Sequence, residues 1–174
     1  MSAPGADEPR SPLPLPVAYM QRSRDYYEAQ GFERAYRWAH FETIPFAPMP
    51  KPLGDCTLGL VTTAATYRRA PLEPRKVDSG PTVPAPVRLH ADDLSWDKQA
   101  THLDDVNTYL PVEHLQSLAA EGVIGALAPS FHCAPTEYSH RATLEKDAPE
   151  LHRRLLDGPG AGGSPADVAL LVPL

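Results

Sequence analysis

The chain has 174 residues, with 22 acidic side chains against 16 Lys and Arg, and 14 of its 21 prolines lie in the first 86 positions. This length accommodates one domain of about 100–150 residues with appendages. The acidic balance argues against nucleic-acid binding, which needs clustered Lys and Arg. No apolar run approaches the ~18 residues that cross a bilayer, and the amino terminus lacks a secretion-signal pattern. We therefore expect a cytoplasmic protein with neither a nucleic-acid nor a membrane partner.

The amino-terminal third of the chain is divided by its prolines. Residues 1–16 are Pro-rich without an apolar period, which predicts a disordered tail. Residues 17–43 contain no proline and carry aromatic side chains at helical spacing, which predicts a helical extension of one helix, or of two helices separated at Gly31. Prolines at every second or third position up to Pro52 then predict an extended strap.

Residues 44–174 are predicted to form an α/β domain. The apolar, β-branched run Thr57–Ala64 predicts a buried parallel strand. Residues 70–86 predict a long Pro-rich loop, and Val87–His90 predicts a short second strand.

The second half of this domain alternates helix and strand signals. A helix is predicted after Pro111, with Gly122 as its left-handed cap, and is followed by an extended segment at residues 123–128. Arg141–Leu156 predicts an amphipathic helix that Pro149 kinks or starts afresh, and residues 166–174 predict another buried strand. This alternation predicts a mostly parallel sheet with flanking helices.

Two polar clusters and one strand end are candidates for chemistry. The segment His90–Asn107 holds two histidines, five aspartates and an asparagine, which suits either a ligand-binding loop or a solvated loop with local Asx turns. It lacks the histidine spacing of a metal site, so no metal is assigned. In the segment Pro129–Arg141, His132 adjoins Cys133, but neighbours in an extended chain point to opposite faces. Thr62 and Thr63 end the first strand, where ligands bind in open α/β sheets.

The cysteines form no motif of their own. Cys56 and Cys133 stand 77 positions apart with no second thiol near either. This spacing supports neither a disulfide framework nor a zinc site. A lone cysteine is most often a small buried apolar residue, and Cys133 is kept as a candidate because of its histidine neighbour.

A long ordered run of the chain resembles a known enzyme family. The stretches PFAPMPKPLGDCTLGLVTTAATYRR, SWDKQATHLDDVNTYLPVEHLQ, PSFHCAPTEYSHR and ADVALLVPL, within residues 43–174, resemble the selenoprotein B family of glycine, sarcosine, betaine and D-proline reductases. Two of these stretches resemble a bacterial branch distinct from the clostridial reductases. The resemblance implies a Rossmann-like oxidoreductase that reductively cleaves a small amino-acid-like substrate.

In that family a motif of selenocysteine or cysteine, Pro, a variable residue and Cys follows a strand that resembles ALLVPL. Its first selenol or thiol attacks the substrate adduct, and its second thiol resolves the intermediate. The clostridial enzymes also use a pyruvoyl group on a partner chain, so by resemblance this chain itself binds no cofactor. A partner reductase subunit or a thiol electron donor is likewise implied.

The sequence ends at Leu174, where that motif would begin. One expectation is that an in-frame UGA codon for selenocysteine was taken as a stop, which would make the fold incomplete at its carboxyl end and this form inactive. The other expectation is a native short protein or a chosen boundary.

The family pattern transfers to individual positions. His90, Asp105 and Asn107 match a histidine after the second strand and an Asp-x-Asn before a proline-initiated helix. His132 lies where the family has a histidine or an aromatic pair. The resemblance implies that these residues line the substrate pocket, whereas Cys133 departs from the clostridial pattern and receives no resolving role. The rival hypothesis is a non-catalytic subunit that binds a small ligand or acts as a scaffold.

Overall fold

The computed structural model describes residues 18–34, 40–70, 73–91, 102–134, 139–158 and 165–174. The chain divides into two units, Met1–Ile44 and Pro45–Leu174. The predicted tail, residues 1–16, lies outside the described residues.

In the first unit, the predicted helical extension contains one described helix, α1 (Tyr19–Ala29). The helix ends before Gly31, whose φ of 83° is the left-handed conformation that stops a helix. None of the residues of α1 is buried. Residues 40–43 are not helical, so the helical prediction for residues 17–43 was too long.

The second unit is built on a four-stranded mixed sheet. Its strands are β1 (Thr57–Thr62), β2 (Asp78–Pro81), β3 (Ala126–Cys133) and β4 (Val168–Val172), in the order β2-β3-β1-β4. Strands β3 and β4 both pair with β1 in parallel, and β2 pairs with β3 in antiparallel fashion. The prediction of a mostly parallel α/β sheet is confirmed.

Strand β1 lies in the sheet interior as its sequence predicts. From Leu58 to Thr62 every residue is buried, because β1 has a paired strand on each side and covered faces.

Two strand predictions were wrong. The second strand is Asp78–Pro81, inside the segment predicted as a loop, whereas Val87–His90 contributes only one antiparallel bridge between His90 and Ala65. The prolines are compatible with β2 because it is an edge strand and Pro81 is its last residue. Gly80 is needed within it, since a Cβ there would come within 2.6 Å of the Phe131 ring.

The prediction that the last strand is buried was also wrong. β4 has the predicted position, but Leu171 is 68% exposed and Leu170 is 37% exposed. The reason is its place in the sheet order, since β4 is an edge strand that pairs only with β1 among the described strands.

The observed positions of the helices agree more closely with the predicted positions than those of the strands do. α2 (Val112–Ala120) follows Pro111, and Gly122 has a φ of 75°. α3 (Ala148–Asp157) follows a π-helical turn at Thr143–Asp147 and a short α-helical turn at His140–Ala142. Pro149 lies in the first turn of α3, but the backbone is already helical before it, so the helix continues through the π-helical turn without a fresh start.

The two helices cover opposite faces of β1. Leu58 and Leu60 belong to one buried apolar cluster with Val112 and Leu115 of α2. Gly59 points to the other face, where a Cβ would meet the Leu155 side chain of α3 at 2.5 Å. None of the described helices is long and apolar enough to cross a bilayer.

Candidate functional site

The carboxyl ends of three parallel strands meet at one edge of the sheet. The chain leaves β1 for β3 on one side and comes back to β4 on the other side. In open α/β sheets, ligands bind outside the carboxyl ends of the strands at the point where the order reverses in this way. That point lies here between β1 and β4, so this edge, which we call the carboxyl edge, is the candidate site.

Thr62 and Cys133 lie side by side at the carboxyl edge. They are register partners at the ends of β1 and β3, and they are 1% and 2% exposed. The Thr62 hydroxyl oxygen accepts a 3.4 Å hydrogen bond from the backbone N–H of Ala64. Cys133 belongs to the same apolar cluster as Leu60, and Thr62 lies two residues after Leu60 in β1. The side chains of Thr62 and Cys133 therefore both point to the face of the sheet that α2 covers.

The Cys133 thiol is poorly suited to nucleophilic chemistry. Burial, together with the negative charge of Asp78, raises its pKa to about 12, against a smaller opposing effect of a backbone hydrogen bond from Thr66. Since the thiolate is the reactive form, the thiol stays protonated and inert near neutral pH.

Thr63 connects the ends of β1 and β4. It is the first residue after β1, and its Oγ1 accepts a 2.8 Å hydrogen bond from the backbone N–H of Leu174. A group joined to the Leu174 carbonyl would therefore enter at the carboxyl edge, beside Thr63.

His132 faces the opposite side of the sheet from Cys133, as its position in an extended strand predicts. It pairs with Val61 of β1 and Ser79 of β2, and it is 5% exposed. Its Nδ1 lies 2.8 Å from Ser79 Oγ. The Arg154 Nη1 donates a 2.8 Å hydrogen bond to the same Ser79 oxygen. These contacts join β3, β2 and α3 through one serine hydroxyl.

Arg154 is in turn held by its own helix. Its Nε donates a 2.6 Å hydrogen bond to Glu150 Oε1, one turn earlier in α3. Bonds from Arg153 and Arg154 keep the Glu150 pKa low, at about 2, so its carboxylate is charged across the neutral range. The resulting chain of contacts, Glu150–Arg154–Ser79–His132, is called the α3 network below.

The environment of His132 favours its neutral form. Burial lowers its pKa below 6.5, and the Arg154 charge lowers it further, against a smaller opposing effect of Glu150. A neutral imidazole has one nitrogen free to accept a proton. Because a guanidinium only donates, Ser79 Oγ accepts from Arg154, and the serine proton is assigned to the bond with His132 Nδ1.

Backbone hydrogen bonds hold His90 close to the end of β1. Its N–H and C=O exchange two 2.8 Å hydrogen bonds with Ala65, three residues after Thr62. His90 is half-buried and precedes Ala91, which is 1% exposed. The structure thus ties this predicted residue to the segment that follows the carboxyl edge.

Asp105 and Asn107 make their described side-chain contacts locally. Asp105 Oδ1 accepts a 3.0 Å bond from the Asn107 N–H and caps the short 3₁₀ helix Val106–Thr108, as the Asx-turn interpretation predicts. Asn107 Nδ2 donates a 2.9 Å bond to Glu113 in the first turn of α2. These contacts shape the entry into α2 and are accounted for without a ligand. Residues 92–101, with Trp96, lie outside the described residues, as do residues 135–138.

Sequence reasoning missed Ser79, Arg154 and Glu150. Ser79 lies in the segment predicted as a loop, and Arg154 is 75 positions away from it in the chain. The four-residue spacing of Glu150 and Arg154 predicts an ion pair on a helix. It does not predict a contact between that pair and the sheet, which depends on the docking of α3.

Among the described residues, no group of three or more His, Cys, Asp or Glu side chains is arranged to hold a metal ion. Comparisons of the chain with protein-family models, curated proteins and solved structures found no match.

Proposed function

We propose that the chain is a Rossmann-like, cytoplasmic subunit of a selenol- or thiol-dependent oxidoreductase that cleaves a small amino-acid-like substrate reductively. The proposal starts from the resemblance of residues 43–174 to the selenoprotein B reductases. It does not depend on Cys56 or Cys133, which are both buried.

The observation that carries the proposal is the hydrogen bond between Leu174 and Thr63. In the resembled family, the redox motif follows the strand that corresponds to β4. A motif joined to Leu174 would emerge at the carboxyl edge and at the point of strand reversal, which is where ligands bind in this class of sheet. In this proposal, the family's reactive group would lie at the expected position of a ligand.

The residues of this chain would bind and orient the substrate. Thr63 holds the end of β4, and the backbone pairing of His90 with Ala65 shapes the segment that follows β1. The His132 side chain lies on the face of the sheet that α3 covers, opposite Cys133, and receives no role at the carboxyl edge. Attack would come from the selenolate or thiolate of the added motif, because Cys133 stays protonated.

Partners and cofactors follow from the same resemblance. A pyruvoyl group on a partner chain would activate the substrate amine, and a thiol donor would regenerate the reduced motif.

The proposal is tested by extending the chain after Leu174 with selenocysteine or cysteine, Pro, a variable residue and Cys. Dithiol-dependent turnover on a panel of amines and amino acids, with a candidate pyruvoyl partner present, is the expected result. A matched extension with serine at both redox positions should be inactive. The proposal is overturned if the two extensions give equal rates, or if the redox extension gives no turnover on the panel.

The Thr63 contact offers a second, more specific comparison. In the active extension, Thr63→Val should lower kcat, because the end of β4 loses its anchor, while Thr108→Val should not. Thr108 is a suitable control because its hydroxyl bonds only to the exposed Asp105 carbonyl in the described structure.

The alternative is a non-catalytic subunit that binds a small ligand or serves as a scaffold. Local hydrogen bonds hold the Asp105 and Asn107 side chains at the entry into α2, so a ligand that bound there would meet two ordered side chains. Isothermal titration of the 174-residue chain with the same amine panel tests it. Binding by this chain, together with an inactive extension, would favour the alternative.

A further inference from the structure

The α3 network contains a serine hydroxyl between a base and a cation. Ser79 Oγ is 2.8 Å from His132 Nδ1 and 2.8 Å from Arg154 Nη1. A serine becomes nucleophilic when an adjacent base can take its proton as the new bond forms. The guanidinium favours the same step, because it stabilises negative charge that develops on the oxygen.

We propose that Ser79 is a nucleophilic hydroxyl that accepts acyl groups from activated esters, with His132 as its general base and Arg154 as its electrostatic support. This activity is independent of the proposed reductase, since it uses no redox group. It is assigned to the face of the sheet that α3 covers, whereas Thr62 and Cys133 point to the α2 face.

The step balances without any further reactant. The Ser79 oxygen attacks the ester carbonyl, the bond from Oγ to the carbonyl carbon forms, and the bond from that carbon to the leaving oxygen breaks. The hydroxyl proton passes to His132 Nδ1 and then to the leaving group or to water. Hydrolysis of the acyl-serine by water restores the hydroxyl and releases a carboxylic acid.

Three features of the structure support this role. Ser79 is partly exposed on edge strand β2, and the Arg154 side chain that bonds to it is 27% exposed, so the serine lies at the margin of the covered face. His132 is buried and neutral near pH 7, so its basic nitrogen is available. Arg154 is held by Glu150 and therefore keeps its orientation toward the serine oxygen.

The test uses the whole chain and a fluorophosphonate, which reacts with activated serines and releases fluoride. Mass spectrometry should find one adduct per chain, located on Ser79. Ser79→Ala should abolish labelling, while Ser117→Ala should label like the wild type. Ser117 is a matched control because its hydroxyl donates to the Glu113 carbonyl in α2 and not to an imidazole nitrogen.

A base variant and a pH profile separate a reactive serine from a merely structural one. His132→Gln should slow labelling by about 100-fold or more, the range over which general bases act. In the wild type, the labelling rate should level off at a lower pH than an ordinary histidine base would give, because burial and the Arg154 charge lower the pKa of His132. The pH profile needs no variant, so it remains informative if His132→Gln does not fold.

The proposal is overturned by an adduct elsewhere than on Ser79, by the absence of an adduct, or by a labelling rate that climbs with pH throughout. A burst of p-nitrophenolate from p-nitrophenyl acetate, equal in amount to the protein and lost in Ser79→Ala, would extend it to carboxylic esters. A burst of the same size in Ser79→Ala would overturn that extension.

Discussion

The Leu155 side chain of α3 occupies the space that any side chain at Gly59 of β1 would need. A Cβ at Gly59 would lie 2.5 Å from Leu155 Cδ2 and 3.0 Å from the Ala166 Cβ. The close approach of helix and strand also positions Arg154, the neighbour of Leu155, against Ser79. The absence of a side chain at Gly59 therefore allows α3 to dock closely enough for the α3 network to form.

Gly59→Ala is expected to destabilise the protein by about 1–3 kcal/mol, the usual cost of overpacking a filled interior. The measurement is the free energy of unfolding in urea. The double variant Gly59→Ala/Leu155→Ala is the matched control, because removal of Leu155 opens the space that the new methyl group needs. The two single effects should add to more than the effect of the double variant, and simple additivity would contradict the contact.

Thr82 provides a separate anchor between β2 and β3. Thr82 is 2% exposed, and its hydroxyl donates a 2.9 Å bond to the Ala128 carbonyl, beside the irregular register between β1 and β3. Thr82→Val keeps the shape and removes the donor, so we expect a loss of about 1–2 kcal/mol in unfolding free energy. Thr108→Val, at an exposed hydroxyl, should cost less than about 0.5 kcal/mol. Equal effects of the two variants would count against a role of the buried bond.

The elements that follow from local patterns were predictable from the sequence. The apolar run of β1 and the proline and glycine that bound α2 each carry their signal within a few residues. Gly122, for example, has the left-handed conformation that the end of a helix needs. Local signals suffice here because the structure of each segment agrees with its own propensity.

The wrong predictions concern properties that depend on the arrangement of the whole sheet. β4 is as apolar as β1, yet Leu171 is exposed because the strand lies at an edge. β2 is rich in residues that disfavour strands, and it exists because Gly80 fits against Phe131 and its sequence tolerates an edge. The candidate site shows the same division. Thr62 and Thr63 could be placed at a strand end, but the meeting of Ser79 with Arg154 depends on how α3 docks.

His132 should make stability depend on pH in the mildly acidic range. The pKa of His132 is lower in the folded protein than its ordinary value of 6.5, which applies to the unfolded chain. Between the folded and the unfolded pKa, the unfolded chain binds the proton more readily. The stabilising contribution of neutral His132 is therefore present above pH 6.5 and is lost as the pH falls below it. The difference in unfolding free energy between the wild type and His132→Gln should shrink as the pH falls from 7 to 5. A difference that stays constant over this range would refute the assignment.

Removing the Arg154 charge tests one cause of that shift directly. In Arg154→Met, the pKa of His132 should move up toward its ordinary value, because one of the two factors that lower it is gone. Nuclear magnetic resonance titration of the imidazole gives this pKa. Arg153→Met is the matched control, since Arg153 bonds to Glu150 and Asp157 on the exposed side of α3. An equal shift in both variants would show that the effect is not specific to Arg154.

Cys133 should be unreactive in the folded protein and should lower stability at high pH. Cys133 is 2% exposed, and this burial raises the pKa of its thiol to about 12 from an ordinary value of 9.0, so the thiol is protonated at pH 8. A disulfide reagent should therefore modify Cys56→Ala, which retains only Cys133, at the rate of unfolding, and at once in denaturant. Fast modification of Cys56→Ala in its native state would contradict the burial of this thiol.

The same pKa shift makes stability depend on pH in the alkaline range. Since the folded pKa of Cys133 lies above the unfolded one, the neutral thiol stabilises the fold below pH 9, and this contribution is lost as the pH rises toward 12. Cys133→Ala should show a weaker decline of stability over that range.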